Sequence, residues 1–263
     1  MKKFFYFIFT LLSVTNLFAA DCSIIVISID ALHPDAINIV KPENIGKVMS
    51  AGVYNLNGKS VNPPKTLISH TAMVTGKTPE ESGYISNSWE KGKPTVFGET
   101  IFHDAKRAGL KTYFIYSKNK LGFLENSAID KTIYGKDDSI LIAEKIVKEE
   151  TEPYFIFLHI SGLDEVGPKY GWLSKEYLEE FQLIDSDLQN ILEHFIAMKS
   201  STIIITSDHA GHDKEHGTNH PDDYKLPLII FSKDIKFDDI SSSSYYSFQL
   251  RSLINRALKC RQN

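Results

Sequence analysis

The chain has 263 residues, 42% of them hydrophobic and 24% charged, with 29 Lys+Arg against 33 Asp+Glu. That is an ordinary globular composition, which excludes a disordered chain, a collagen-like repeat and a basic nucleic-acid-binding surface. Its only two cysteines, Cys22 and Cys260, exclude a disulfide-stapled miniprotein and a CxxC zinc ribbon.

Residues 1–20 read as a secretory signal peptide: Met1-Lys2-Lys3 is positive, residues 4–14 are almost wholly apolar, and Ala19-Ala20 precede Asp21. The apolar run is short for a membrane span, so no span is expected once the signal is removed. The protein is then expected to be exported, to the periplasm or beyond the cell. Export would put Cys22 and Cys260 in an oxidising compartment where pairing is permitted.

After the signal, apolar β-branched runs alternate with helical spacing. Residues 22–29 (CSIIVISI) form the first expected strand, ending at Asp30. A Pro-Pro turn then leads through Lys65-Thr66 into a segment of helical character up to Gly76. A helix is expected over 96–108 ahead of Gly109, a strand at 111–116 (KTYFIY) and a helix over 137–148. Strands come next at 154–160 (YFIFLHI), 201–206 (STIIIT) and 226–231 (LPLIIF), with the longest helix, 174–198, among them and a closing helix at 247–258. This alternation implies one α/β domain over residues 21–263, a three-layer α/β/α sandwich around a mostly parallel sheet.

Ligands of such sheets gather beyond the carboxyl ends of the strands. Those ends deliver Asp30, Asp164 and the run Ser207-Asp208-His209 to one edge. The densest polar stretch, residues 206–220 (TSDHAGHDKEHGTNH), holds His209, His212, His216 and His220 with Asp208 and Asp213. Imidazole beside carboxylate suits Zn²⁺ or a similar ion. Thr66, at a helix start, faces free amide N–H groups and the positive end of the helix dipole, a setting that favours an anion. Taken alone it would be a simple N-cap. Beside a metal it is a candidate nucleophile, because a threonine hydroxyl is inert near neutral pH without such activation.

Five pieces in series, IDALHPDAI (29–37), PPKTLISHTAMVTGKTPEESG (63–83), SNSW (86–89), LHISGLDEVGPKYGW (158–172) and TSDHAGHDKEHG (206–217), resemble the alkaline phosphatase superfamily. Within it they are most similar to the type I phosphodiesterase/nucleotide pyrophosphatase branch. The resemblance implies an alkaline-phosphatase-like core and a hydrolase working on small-molecule phosphate esters through a phospho-threonine on two divalent metal ions, expected to be zinc. It assigns Asp30, Thr66, Asp208 and His209 to the first metal, Asp164 and His216 to the second, and Asn87 to a hydrogen bond with a phosphate oxygen. His70, in the motif after Thr66, is expected to be a structural hydrogen-bonding residue, and Lys65 a solvent-exposed cation.

The chain departs from the family at one point. The pattern Asp-x-x-x-His after the mid-chain aspartate reads Asp164-Glu165-Val166-Gly167-Pro168 here, and proline offers no ligand atom. Glu165, His212 and His220 are the candidate substitutes, and a metal- and phosphate-binding protein without turnover is the alternative reading. A sulfatase would need Cys or Ser in a Cys/Ser-x-Pro-x-Arg setting, which Thr66-Leu67-Ile68-Ser69-His70 does not provide. A monoesterase would use a third metal or an arginine near the motifs. The motifs leave no room for a cap insertion, so an open site is expected, with Tyr84, Trp89 and Trp172 close by. Cys22 and Cys260 lie at the start of the first strand and the end of the closing helix, so a bridge between them would tie the domain's two ends.

Overall fold

The structure, a computed structural model, describes residues 22–262; the expected signal peptide lies outside the described residues. Seven strands, β1 (Ser23–Ile29), β2 (Val53–Lys59), β3 (Lys111–Tyr116), β4 (Lys131–Tyr134), β5 (Tyr154–Ile160), β6 (Ser201–Thr206) and β7 (Lys225–Ser232), form one sheet in the order β2-β7-β6-β1-β5-β3-β4. The run from β6 through β1, β5 and β3 to β4 is parallel, and only β7 opposes its neighbours.

The ten α-helices among the described residues are α1 (Pro34–Val40), α2 (Glu43–Ala51), α3 (Thr66–Thr75), α4 (Pro79–Ser82), α5 (Ile101–Arg107), α6 (Ser139–Glu149), α7 (Gly162–Tyr170), α8 (Lys175–Asp187), α9 (Gln189–Ala197) and α10 (Leu250–Ala257). Every residue of β1, β5 and β6 is buried, as continuous apolar strands covered on both faces must be. Side-chain alternation divides the core in two. Ile24, Val26, Phe155 and Phe157 pack against α3, α5 and α10 through Leu67, Phe102 and Ile254. Ile25, Ile27, Ile156 and Leu158 pack against α2, α6, α8 and α9 through Val48, Ile146, Phe181 and Ile191. Helices therefore cover both faces, and the three-layer sandwich expected from the sequence is what forms.

Differences from the sequence reading have local causes. The edge strands β2 (VYNLNGK) and β4 (KTIY) were not expected, because partly exposed edges lack a continuous apolar run. The helix expected at 174–198 is two, α8 and α9, which turn at the fully buried Leu188. Unbroken, it would run roughly 37 Å against strands of about 23 Å, overshooting the sheet it covers. The helix expected from residue 96 begins only at Ile101, where the Thr100 N–H donates to His103 Nδ1 at 3.2 Å and caps it. Cys22 and Cys260 form a disulfide across 238 residues, joining the start of the sheet to the end of the closing helical segment.

Candidate active site

Because β1, β3, β5 and β6 are parallel, their carboxyl ends open on one edge, and the site is assembled there. Asp30 directly succeeds β1. The next residue, Ala31, has φ 65°, a left-handed conformation costing an L-residue about 1 kcal/mol. That turn lets the Ala31 N–H donate to Asp208 Oδ1 at 3.1 Å, while the Ala31 carbonyl accepts from Tyr177 Oη at 2.6 Å. Asp208 and His209 come just after β6, and the Ser60 hydroxyl holds the Asp208 carbonyl. Asp164 lies in the first turn of α7. His216 comes from the loop after β6, its ring parallel to that of His209 with centroids 4.5 Å apart. That loop packs closely: a Cβ on Gly211 would sit 2.4 Å from the Trp172 ring.

Thr66 is the first residue of α3, not its cap; Lys65 occupies the cap position without a side-chain bond. Asn87 Oδ1 accepts from the Leu67 N–H at 2.9 Å, so the carboxamide's donor end is what Asn87 has left to offer a ligand. His70 has the structural role expected of it. Its Nδ1 lies 2.7 Å from the Thr66 carbonyl and its Nε2 2.8 Å from Ser28 Oγ, tying the start of α3 to β1. Burial pushes the His70 imidazole down to about 4, so it is neutral near pH 7.

Asp30, Thr66, Asp208 and His209 are completely buried. His209 Nε2 lies 3.3 Å from Asp30 Oδ1, 3.5 Å from Asp208 Oδ2 and 3.8 Å from Asp164 Oδ1. His216 Nε2 lies 3.6 Å from Asp164 Oδ1. Burial works against the charge on His209, but Asp208 and Asp30 outweigh it and push the imidazole up to about 9. Burial likewise opposes ionisation of Asp30, yet Lys118, then His159 and His209, hold its carboxyl well below the usual range.

The donor set fits a divalent ion. Asp30 Oδ1, Asp164 Oδ1, Asp208 Oδ2 and His209 Nε2 are buried with no hydrogen-bond partner among the described residues, although a buried charged group is costly unless paired or bound to metal. Ligand atoms of Asp30, Asp208 and His209 lie within 4.8 Å of one another. The Ala210 carbonyl, 2.8 Å from His209 Nδ1, accepts its proton and leaves Nε2 as the ligating nitrogen. A second group joins Asp164, His216 and the same His209. Glu165 and Pro168 are exposed, and Glu165 joins neither group. His212 and His220 form a separate group with Asp223, in which His212 Nδ1 binds Asp223 Oδ1 at 2.7 Å. None of the three substitutes considered from the sequence therefore replaces the missing histidine.

Two site residues escaped the sequence reading. Lys118 lies just beyond β3, and its Nζ is 2.6 Å from Asp30 Oδ2 and 3.4 Å from Thr66 Oγ1, and pairs with Asp164 Oδ2. His159, in β5, places Nε2 3.0 Å from Asp30 Oδ2. Asp30 and Asp208 are recognisable as polar residues at the carboxyl end of an apolar strand, and the same rule applied to β3 would have found Lys118. The site is also less open than expected, since Thr66 is 0% exposed and lies beside Lys118. Of the nearby aromatics, Trp172 is buried and Tyr84 stacks on Phe123 at 4.0 Å.

The profile of the type I phosphodiesterase / nucleotide pyrophosphatase family matches residues 24–225. The chain is 23% identical over 228 residues to GPI ethanolamine phosphate transferase 1 of Emericella nidulans, covering 76% of this chain and 24% of that protein. It is 28% identical over 257 residues to human ectonucleotide pyrophosphatase/phosphodiesterase family member 1, covering 83% of this chain and 27% of the relative. The chain thus spans about a quarter of the length of these curated relatives. Among solved structures, murine ectonucleotide pyrophosphatase / phosphodiesterase 5 superposes with a TM-score of 0.73 at 14% identity, covering 90% of this chain and 95% of that one. The chain belongs to the type I phosphodiesterase / nucleotide pyrophosphatase family, a branch of the alkaline phosphatase superfamily.

Proposed function

We propose that this family member is an exported, metal-dependent phosphodiesterase or nucleotide pyrophosphatase, with Thr66 as nucleophile and residues 21–263 as one catalytic domain. The observation that carries the reading is the position of the Thr66 hydroxyl, at a helix start beside a cluster of unpartnered buried carboxylate and imidazole atoms. Asp30, Asp208 and His209 would hold a divalent ion, best Zn²⁺ for this oxygen and nitrogen donor set, with Thr66 beside it. When bound, that ion supplies the positive charge that makes a threonine hydroxyl acidic enough to react and that polarises the phosphoryl group.

The residues then divide the work. The Thr66 Oγ–P bond forms as the bond from phosphorus to the leaving oxygen breaks, and the proton that Thr66 gives up ends on the departing alcohol. Water attacks the phospho-threonine in the second half, restoring the hydroxyl and releasing a phosphomonoester. The Asn87 carboxamide offers a donor for a non-bridging oxygen, its carbonyl being held by Leu67. His70 has both ring nitrogens engaged, by the Thr66 carbonyl and the Ser28 hydroxyl, and so positions the nucleophile's backbone.

A second reading, transfer to an alcohol in place of water, is favoured by the likeness to ethanolamine phosphate transferases. One experiment separates the readings. Purified oxidised protein is given Zn²⁺ and nitrophenyl monoester and diester substrates, with and without added ethanolamine or glycerol. Hydrolysis of the diester in preference to the monoester supports the proposal, and new alcohol esters at the expense of hydrolysis support transfer. If wild type and Thr66→Ala are equally inactive while zinc binds, the metal- and phosphate-binding alternative holds and the enzyme reading is wrong.

A further inference from the structure

The family pattern calls for a second ion between Asp164 and His216, and the side chains present there, those two and the shared His209, are one ligand fewer than the pattern supplies. Pro168 stands four residues after Asp164 on α7, one turn along the same helix face, where an Asp-x-x-x-His pair would present its imidazole. No substitute reaches the Asp164 group, and its third member, His209, is shared with the Asp30–Asp208 group. A cation is nevertheless already in place. Lys118 Nζ pairs with Asp164 Oδ2 and lies 2.6 Å from Asp30 Oδ2 and 3.4 Å from Thr66 Oγ1. It therefore bridges one carboxylate of each ligand group and touches the proposed nucleophile.

We infer that Lys118 takes the place of the second metal ion, making this a centre of one divalent ion and one ammonium. The lysine is a catalytic residue here: its charge faces the reacting phosphoryl group and hydrogen-bonds the oxygens that become negative during transfer. The absence of an imidazole at position 168 and the presence of Lys118 then belong together, since an ammonium on Asp30 Oδ2 and Asp164 Oδ2 repels a second divalent ion from the adjacent oxygens. A compact +1 charge with three donors demands no fixed coordination geometry, and it satisfies Asp164 Oδ2 without the missing imidazole.

The inference rests on the proposed site, and counting bound zinc keeps the two separable. Full-length oxidised protein is saturated with Zn²⁺, dialysed into metal-free buffer and counted for zinc per chain by mass spectrometry. Wild type should retain one zinc; retention of two overturns the inference while leaving the proposed function standing, and retention of none overturns both. Lys118→Met, which keeps the length and loses the charge, should still hold one zinc but lose about 10²-fold or more in kcat; a kcat within two-fold of wild type overturns the inference. Lys118→Met combined with Pro168→His restores an imidazole and removes the competing cation, and should retain a second zinc. A double variant with wild-type circular dichroism that keeps only one zinc would also overturn it. Should that variant fail to fold, the wild-type count still decides.

Discussion

At the scale of single residues, the site concentrates buried carboxylates and imidazoles, whose charge Lys118 and His209 offset in part. Asp30 Oδ1, Asp164 Oδ1, Asp208 Oδ2 and His209 Nε2 all lack hydrogen-bond partners among the described residues. The Thr66 hydroxyl lies 3.4 Å from Lys118 Nζ, which also contacts Asp30 and Asp164. Thr66→Ala should lower kcat for a diester by about 10³-fold or more without altering the circular dichroism, because it removes the bond-forming atom while alanine remains a good helix former at that position. Chelation by EDTA should abolish turnover and lower the melting temperature, since an ion held by Asp30, Asp208 and His209 stabilises the folded state to which it binds. A melting temperature indifferent to chelation would contradict the metal reading. The sequence made Asp30, Asp164, Asp208 and His209 legible because each comes after an apolar strand. His159 was hidden because it lies within such a strand, whereas Lys118 follows one and was open to the same rule. Which carboxylates share a cation depends on how four strand ends converge, and that is not written in any one segment.

At the scale of elements, two contacts set how the helices sit. His33 caps α1, its Nδ1 accepting from the Asp35 N–H at 3.1 Å, and burial lowers its pKa despite the opposing pull of Asp35. The folded state therefore binds the proton less readily than the unfolded chain. The cap's stability is complete above the ordinary histidine range and is lost progressively as pH falls from about 6.5 towards the lower folded value. The urea midpoint should accordingly decline between pH 7.5 and 5.5, and His33→Asn, which caps without titrating in this range, should flatten that decline. Arg251 on α10 grips Asp104 on α5 through Nε at 2.6 Å and Nη2 at 3.0 Å, and also donates to the Thr75 carbonyl at the end of α3 at 2.9 Å. Asp104→Ala should cost about 2 kcal/mol by denaturant titration, a value between exposed and fully buried pairs. The elements were legible in proportion to their burial: β1, β5 and β6 show as apolar runs, whereas the edge strands β2 and β4 do not. The division between α8 and α9 is imposed by the sheet's length, a constraint with no signature at Leu188 itself.

At the scale of the whole molecule, the sandwich puts every candidate residue at one edge of a sheet and closes the chain with the Cys22–Cys260 bridge. Reduction, or the double replacement of both cysteines by serine, should cost about 2–5 kcal/mol of stability, because the unfolded chain regains the freedom of a very long loop. The sequence left the pairing open: both thiols lie at the ends of expected elements, but their contact depends on the closing helical segment returning to β1. Trapping the covalent intermediate tests the central claim most directly. Protein incubated with a nitrophenyl diester at low pH, quenched and digested should yield a phosphoryl-modified peptide whose fragmentation places the adduct on Thr66, absent from Thr66→Ala. Turnover by Thr66→Ala at the wild-type rate, or an adduct on any other residue, would contradict the account.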